Sequence, residues 1–160
     1  MNFNQSILLG ALILMTNVVH SDDESSTHSQ LTIVNPKALY NPVPNGYSHV
    51  VMSNQKSRLA YISGQGGEQS NGTLSPEFES QVQQAYKNLN FALESIDAKP
   101  QDVMKITTYV VEYDMQKLGI MTEQVVALFG EKLPAQTLVP VPRLALDGML
   151  FEVDAVVSLD

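Results

Sequence analysis

Glu152 and Asp154 stand two residues apart in "MLFEVDAVV", inside an otherwise apolar run. Side chains two apart on a strand point to one face, so the pair shares its face with Leu150 and Val156. A carboxylate so placed is one of two things. It is an outward-facing edge group, solvated or paired with a cation, or it is a general acid or base that positions a water. Spacing alone leaves both open. The nearest preceding polar residue with a planar head is Gln136, in "LPAQTLVPVPRLA", and the only nearby cation is Arg143.

Other chemistries find less support in the sequence. The chain has no cysteine, which removes a disulfide framework and a thiolate nucleophile. Of the three histidines, His20 and His28 precede the first expected strand. His49 has no second histidine at ligand spacing, so no metal site is expected. A triad drawn from Ser48 or Ser63, His49 and Asp154 lacks anything like a nucleophile elbow. "GQGG", from Gly64 to Gly67, is no phosphate loop, because no Lys-Ser/Thr follows it. The net charge is −8, with nine Lys and Arg in total. Such a surface is a poor partner for phosphate backbones or anionic lipid, so no nucleic-acid partner is expected.

The elements that must position these residues follow from periodicity. The length of 160 residues suits one domain. Ile7 to Val19 is a nearly unbroken apolar run, too short for a membrane span of roughly 20 residues but fitting a secretory h-region. Residues 1–21 are therefore expected to be a signal peptide and 22–30 ("DDESSTHSQ") a disordered leader, with the domain over 31–160. The protein is expected to be exported, periplasmic or secreted, with no membrane partner after cleavage.

Within the domain, "LTIV" reads as a short strand, and "SHVVMSN" and "RLAYISG" flank "QKS" as a hairpin. Ser75-Pro76-Glu77 announces a helix with Ser75 as N-cap and Pro76 at the first turn. Phe78, Val82, Ala85, Tyr86, Leu89, Ala92, Leu93 and Ile96 form its buried stripe. Gln81, Gln84 and Asn88 share another side, expected to be solvated or subunit-facing. "DVMKITTYVVEY" is a strand, and "MQKLGIMTEQVVALFG" a second helix stopped by Gly130. "AQTLVPVP" is an edge strand on account of its prolines, and Asp147-Gly148 turns the chain into "MLFEVDAVVSL". The order β-β-β-α-β-α-β-β predicts an α+β sandwich with two helices on one face of a mixed sheet. The other face carries too many Val, Ile, Leu and Met residues to stay wet, so burial in an oligomer is expected.

"NGYSHVV", "RLAYISGQ", "QVQQAYKNLNFALESI", "DVMKITTYVVEY", "LPAQTLVPVPRLA" and "MLFEVDAVV" occur in order and at the right separations to resemble the RidA/YjgF family, over roughly Leu31 to Leu159. That family is also labelled reactive-intermediate deaminase or L-PSP endoribonuclease. The resemblance implies a chorismate-mutase-like sandwich. It also implies a homotrimer whose sheets pack into a central barrel, with three inter-subunit clefts that each take a small-molecule ligand. It further implies hydrolysis of 2-aminoacrylate and related enamines or imines to 2-oxo acids and ammonia, with no cofactor. Tyr47 matches the aromatic that walls the cleft, and Ser63 and Gly64 match groups facing the ligand. Leu138 matches a position contributing its backbone N–H. Glu152 matches the acid that positions the attacking water.

Gln136 departs from the pattern, which in the deaminase subgroup is Pro-Ala-Arg-Ser/Thr with the Arg forked onto the substrate carboxylate. An amide offers one NH2 and no charge in place of two parallel charge-assisted bonds. Such bonds are worth about 1.5–3 kcal/mol, so a carboxylate substrate should bind at least roughly tenfold more weakly. Arg143 could substitute, but on a regular strand its odd offset of seven from Gln136 points it to the other face. Thr122 departs as well, standing where the deaminases often have Asn. Two functions are therefore carried forward. One is an imine deaminase whose substrate is not a simple 2-imino acid. The other is a non-catalytic ligand-binding or interaction trimer, which export favours because aminoacrylate arises in the cytosol. A ribonuclease reading is rejected on the acidic charge and the lack of a histidine pair.

Overall fold

Residues 31–53 and 57–159 are described by the structure, a computed structural model. The expected signal peptide and leader lie outside the described residues. In chain order the elements are β1 (Leu31–Val34), β2 (Val50–Ser53), β3 (Arg58–Gly66), α1 (Phe78–Glu94), β4 (Val103–Val111), α2 (Met115–Phe129), β5 (Ala135–Val141) and β6 (Phe151–Leu159). This is the expected order and an α+β fold.

The main sheet runs β3-β6-β4-β5. It is mixed: β4 and β5 are parallel, while β6 is antiparallel to both its neighbours. A parallel pair needs a crossover, and α2 supplies it. Alternation along each strand sends one set of side chains under the helices. Ile106 and Val110 of β4 and Phe151, Val153 and Val157 of β6 are buried against Val82, Leu89 and Leu93 of α1 and Val125 and Phe129 of α2. Each such apolar side chain contributes about 1.5–3 kcal/mol when fully buried. β5 lies at the sheet edge, as its prolines require, with Pro140 exposed.

Three local expectations are corrected. β2 does not form a hairpin with β3: it pairs antiparallel with β1, in a separate two-stranded ladder. β3 pairs instead with β6, from Arg58 opposite Leu159 to Gly66 opposite Glu152, which lets Ala60 and Ile62 pack on the core. Helix α1 begins at Phe78 with Glu77 at its N-cap; Ser75 Oγ accepts from the Glu77 N–H at 3.2 Å and so caps the turn leading in. Gln81 is not solvated. It is 0% exposed, its Nε2 donates to the Ser75 and Gly148 carbonyls at 2.7 Å each, and its Oε1 accepts from the Leu150 N–H at 2.8 Å. Gln81 does stand off the apolar stripe of the helix, but the segment before α1 and the distant 148–150 segment cover that side.

Candidate functional site

The helix-free face of the sheet carries the polar chemistry. Phe151, Val153, Ala155 and Val157 are buried under the helices, so Glu152, Asp154 and Val156 point the other way. Tyr109 of β4 lies opposite Glu152 and Thr107 opposite Asp154. The Tyr109 hydroxyl donates to Asp154 Oδ2 at 3.1 Å, which ties the two strands together on this face. Farther along the same face, Lys105 Nζ donates to Thr137 Oγ1 at 2.7 Å, linking β4 to β5.

β3 makes room for the Glu152 carboxyl. A bulge interrupts the β3–β6 register between Ile62 and Gln65, and Ser63 and Gly64 fall within it. A Cβ on Gly64 would overlap the Glu152 carboxyl, so the carboxyl rests directly on the glycine backbone. Gly66 is the register partner of Glu152, and the Glu68 carboxyl curls over it into the space a Cβ would fill. Directly opposite positions have Cβ atoms about 5 Å apart. Two carboxyls are therefore neighbours in a niche floored by glycine.

The electrostatic consequence is a Glu152 carboxyl that holds its proton to a higher pH than an ordinary glutamate. Partial burial is the largest cause, followed by the negative charges of Glu68 and then Asp154. Tyr109 is also shifted upward, first because its hydroxyl donates to Asp154, so it stays a neutral donor. Gly64→Ala is expected to move the Glu152 carboxyl with little loss of stability, because Gly64 is exposed and the clash is with the end of a flexible side chain. A crystal structure should show the carboxyl displaced, and the melting temperature should fall by no more than about 2–4 °C.

Of the other expected site residues, Gln136, Tyr47 and Leu138 lie away from this niche. Gln136 Nε2 donates a long 3.4 Å bond to Thr108 Oγ1. Thr108 is fully buried on the helix side of β4, so Gln136 and Glu152 occupy opposite faces of the sheet and do not meet within one chain. Tyr47 lies beside the start of β5, since Ser48 bridges Ala135 and its N–H donates to the Pro134 carbonyl at 2.9 Å. The Tyr47 hydroxyl is hydrogen-bonded to that of Tyr40. Tyr40, Tyr47 and His49 meet edge to face, with ring centroids 5.1–6.5 Å apart. His49 Nε2 donates to the Tyr40 carbonyl at 2.9 Å. Leu138 packs its side chain on the core from the outer strand. Ser63 is exposed, and its carbonyl accepts from Gln65 Nε2 at 3.0 Å. Thr122 donates to the Leu118 carbonyl within α2.

Arg143 lies in the loop after β5. β5 ends at Val141, so the strand-parity argument does not reach it. Arg143 pairs with Asp147 at 3.4 Å, both side chains largely in solvent. One chain thus carries two separate sets: Ser63, Gly64, Tyr109, Glu152 and Asp154 on β3, β4 and β6 with Glu68 from the loop after β3, and Tyr47, Gln136 and Leu138 at the β5 edge. Sequence reasoning had passed over Glu68, which sits in a loop, and Tyr109, whose strand gave only alternation. Among the described residues, no group of three or more His, Cys, Asp or Glu is placed to hold a metal ion.

A sandwich of two helices on a four-stranded mixed sheet is the fold of a known class of proteins, and comparison with known proteins identifies it. Residues 39–159 match the family described as Endoribonuclease L-PSP. The RutC family protein YjgH of Escherichia coli (strain K12) is 30% identical over 101 residues, covering 63% of this chain and 76% of that protein. The crystal structure of YyfB from Yersinia pestis, a Rid-family protein of unknown function, superposes with a TM-score of 0.77 at 32% identity, covering 81% of this chain and 98% of that one. RidA from an Antarctic Psychrobacter superposes with a TM-score of 0.59 at 26% identity, over 71% and 88% of the two chains. The chain belongs to the RidA/YjgF family.

Proposed function

We propose that the protein hydrolyses a reactive enamine or imine to a carbonyl compound and ammonia, without a cofactor, in clefts formed between the subunits of a homotrimer. The observation that carries this reading is the Glu152 carboxyl, seated on Gly64 and biased toward its protonated form by burial, Glu68 and Asp154. A carboxyl poised closer to neutrality than usual serves as both base and acid. In its ionised form it takes a proton from the water that adds to the C=N carbon and returns it to the nitrogen, giving a carbinolamine; on collapse it takes the hydroxyl proton as C=O forms and delivers it to the nitrogen as the C–N bond breaks and ammonia leaves. Because Gln136 and Glu152 lie on opposite faces of the sheet, a site using both has to be assembled from two copies of the chain, which fits a trimer with inter-subunit clefts. Export, by the signal read at residues 1–21, is part of the same proposal.

The substrate is an imine without a free carboxylate, neutral or cationic. Glu68, Glu152 and Asp154 gather negative charge in the niche, Gln136 brings none of the opposite sign, and Arg143 is turned toward Asp147. The endoribonuclease in the family's description is not carried to this chain, whose net charge is −8 and whose described residues include one histidine, His49. The absence of a guanidinium at Gln136 also favours a second reading, a trimer of the same fold that binds a small ligand or a partner without turnover.

Gln136→Arg tests the substrate assignment. Turnover of small 2-imino acids is expected to rise at least roughly tenfold, the worth of a charge-assisted fork. Ammonia release from in situ generated imines measures it, and no gain from a folded variant would count against Gln136 as the residue that excludes carboxylates.

A further inference from the structure

One row of side chains on α1 touches both loops that frame the acidic niche. Gln81, Gln84 and Asn88 lie three and four residues apart, on one side of the helix. At one end, Gln81 holds the 148–150 segment, accepting from the Leu150 N–H and donating to the Gly148 carbonyl. Leu150 is two residues before Glu152. At the other end, Asn88 Nδ2 donates to the carbonyls of Gly66 at 2.9 Å and Glu68 at 2.8 Å. Gln84 Nε2 donates to Asn88 Oδ1 at 2.9 Å, which fixes the Asn88 amide with its NH2 toward those carbonyls. Gly67 leaves no room for drift: a Cβ there would come within 2.6 Å of the Gln81 backbone.

We propose that this amide row positions the acid site, with Gln81 setting the approach of β6 to Glu152 and the Gln84–Asn88 pair holding Glu68 beside it. These are positioning residues and touch no substrate. The physical logic is that two like charges are kept close only if the backbone carrying one of them is pinned. The Glu68 backbone sits in a loop beyond the end of β3, and Asn88 pins it there, with one bond to the Glu68 carbonyl and one to Gly66 at the strand's last residue. The groups facing the Glu152 carboxyl are Glu68 from that loop, Asp154 from its own strand and Tyr109 from β4; β3 offers glycine backbone. Releasing Glu68 removes one of the two negative neighbours and leaves the others in place. The inference depends on the deaminase reading for its catalytic consequence alone.

The test reads Glu152 itself, in full-length protein labelled at glutamate carboxyl carbons, with Glu152→Gln to assign the signal. Asn88→Ala is expected to lower the Glu152 titration midpoint by about 0.3 pH unit or more, in the direction of an ordinary glutamate. In a Glu68→Gln background the same substitution should add almost nothing. An unchanged midpoint in folded Asn88→Ala overturns the proposal, and so does an equal shift that persists without the Glu68 charge. Should Asn88→Ala fail to fold, Gln84→Ala removes the bond that orients the amide and is read by the same criterion. Absence of turnover in the parent, with the titration behaving as described, would sink the deaminase reading and leave the positioning role standing.

Discussion

Glu152→Gln is expected to lose turnover by about 100-fold or more, the usual worth of a positioned acid–base group, while becoming more stable at neutral pH. The two effects have one origin. The folded chain favours the neutral carboxyl of Glu152, so its pKa lies above the reference value of 4.5. A group whose folded pKa is raised contributes stability that is fully present below its unfolded pKa and is lost as pH rises through the folded one. At neutral pH the ionised Glu152 therefore opposes folding, pressed by burial, Glu68 and Asp154. A glutamine of the same shape carries no charge and escapes that cost. Melting temperatures of parent and variant should nearly coincide around pH 4 and separate in the variant's favour as pH rises toward neutrality. A variant that melts below its parent at neutral pH would show that Glu152 is held there by favourable interactions, and the niche would have to be redrawn.

Gln81→Leu is expected to cost about 2–4 kcal/mol, as three hydrogen bonds of about 1 kcal/mol net each disappear. Leucine is close in volume and helix-forming, so the loss is polar rather than steric or conformational. Ser75, Gly148 and Leu150 lose their shared anchor at once, and the approaches to α1 and β6 loosen together. A domain stable by only 5–15 kcal/mol feels such a change strongly. Urea unfolding measures it, with Gln83→Leu as comparison. Among the described residues Gln83 bonds its helix neighbour Glu79 at 3.2 Å, and its substitution should stay within about 0.5 kcal/mol. Similar losses in both variants would mean that the buried amide has no special weight.

The contrast between those two glutamines shows what a sequence can and cannot disclose. Their helix was legible from the stripe through Val82, Tyr86, Leu89 and Leu93, because burial repeats with the helical period. Nothing local distinguishes Gln81 from Gln83, since the partners of Gln81 at Gly148 and Leu150 are distant in sequence. The same limit misassigned β2 and β3: both are β-rich with a short polar connection, yet each finds its partner elsewhere. Strand parity did place Glu152 and Asp154 on one face, because β6 is regular from Phe151 to Leu159. Parity failed for Arg143, which lies past the end of β5. Family resemblance named Glu152, Gly64 and Gln136. The structure separated them into two sets and added Glu68 and Tyr109, whose proximity to Glu152 arises from register and a folded-back loop.

The most direct test of the central claim is ammonia release by the purified protein from a panel of imines generated in situ by an amine or amino-acid oxidase, with Glu152→Gln in parallel. The account predicts turnover of imines that lack a free carboxylate, abolished in the variant, with 2-imino acids at least roughly tenfold poorer. Silence across the panel from a folded trimer would contradict it and leave a binding protein built on the same fold.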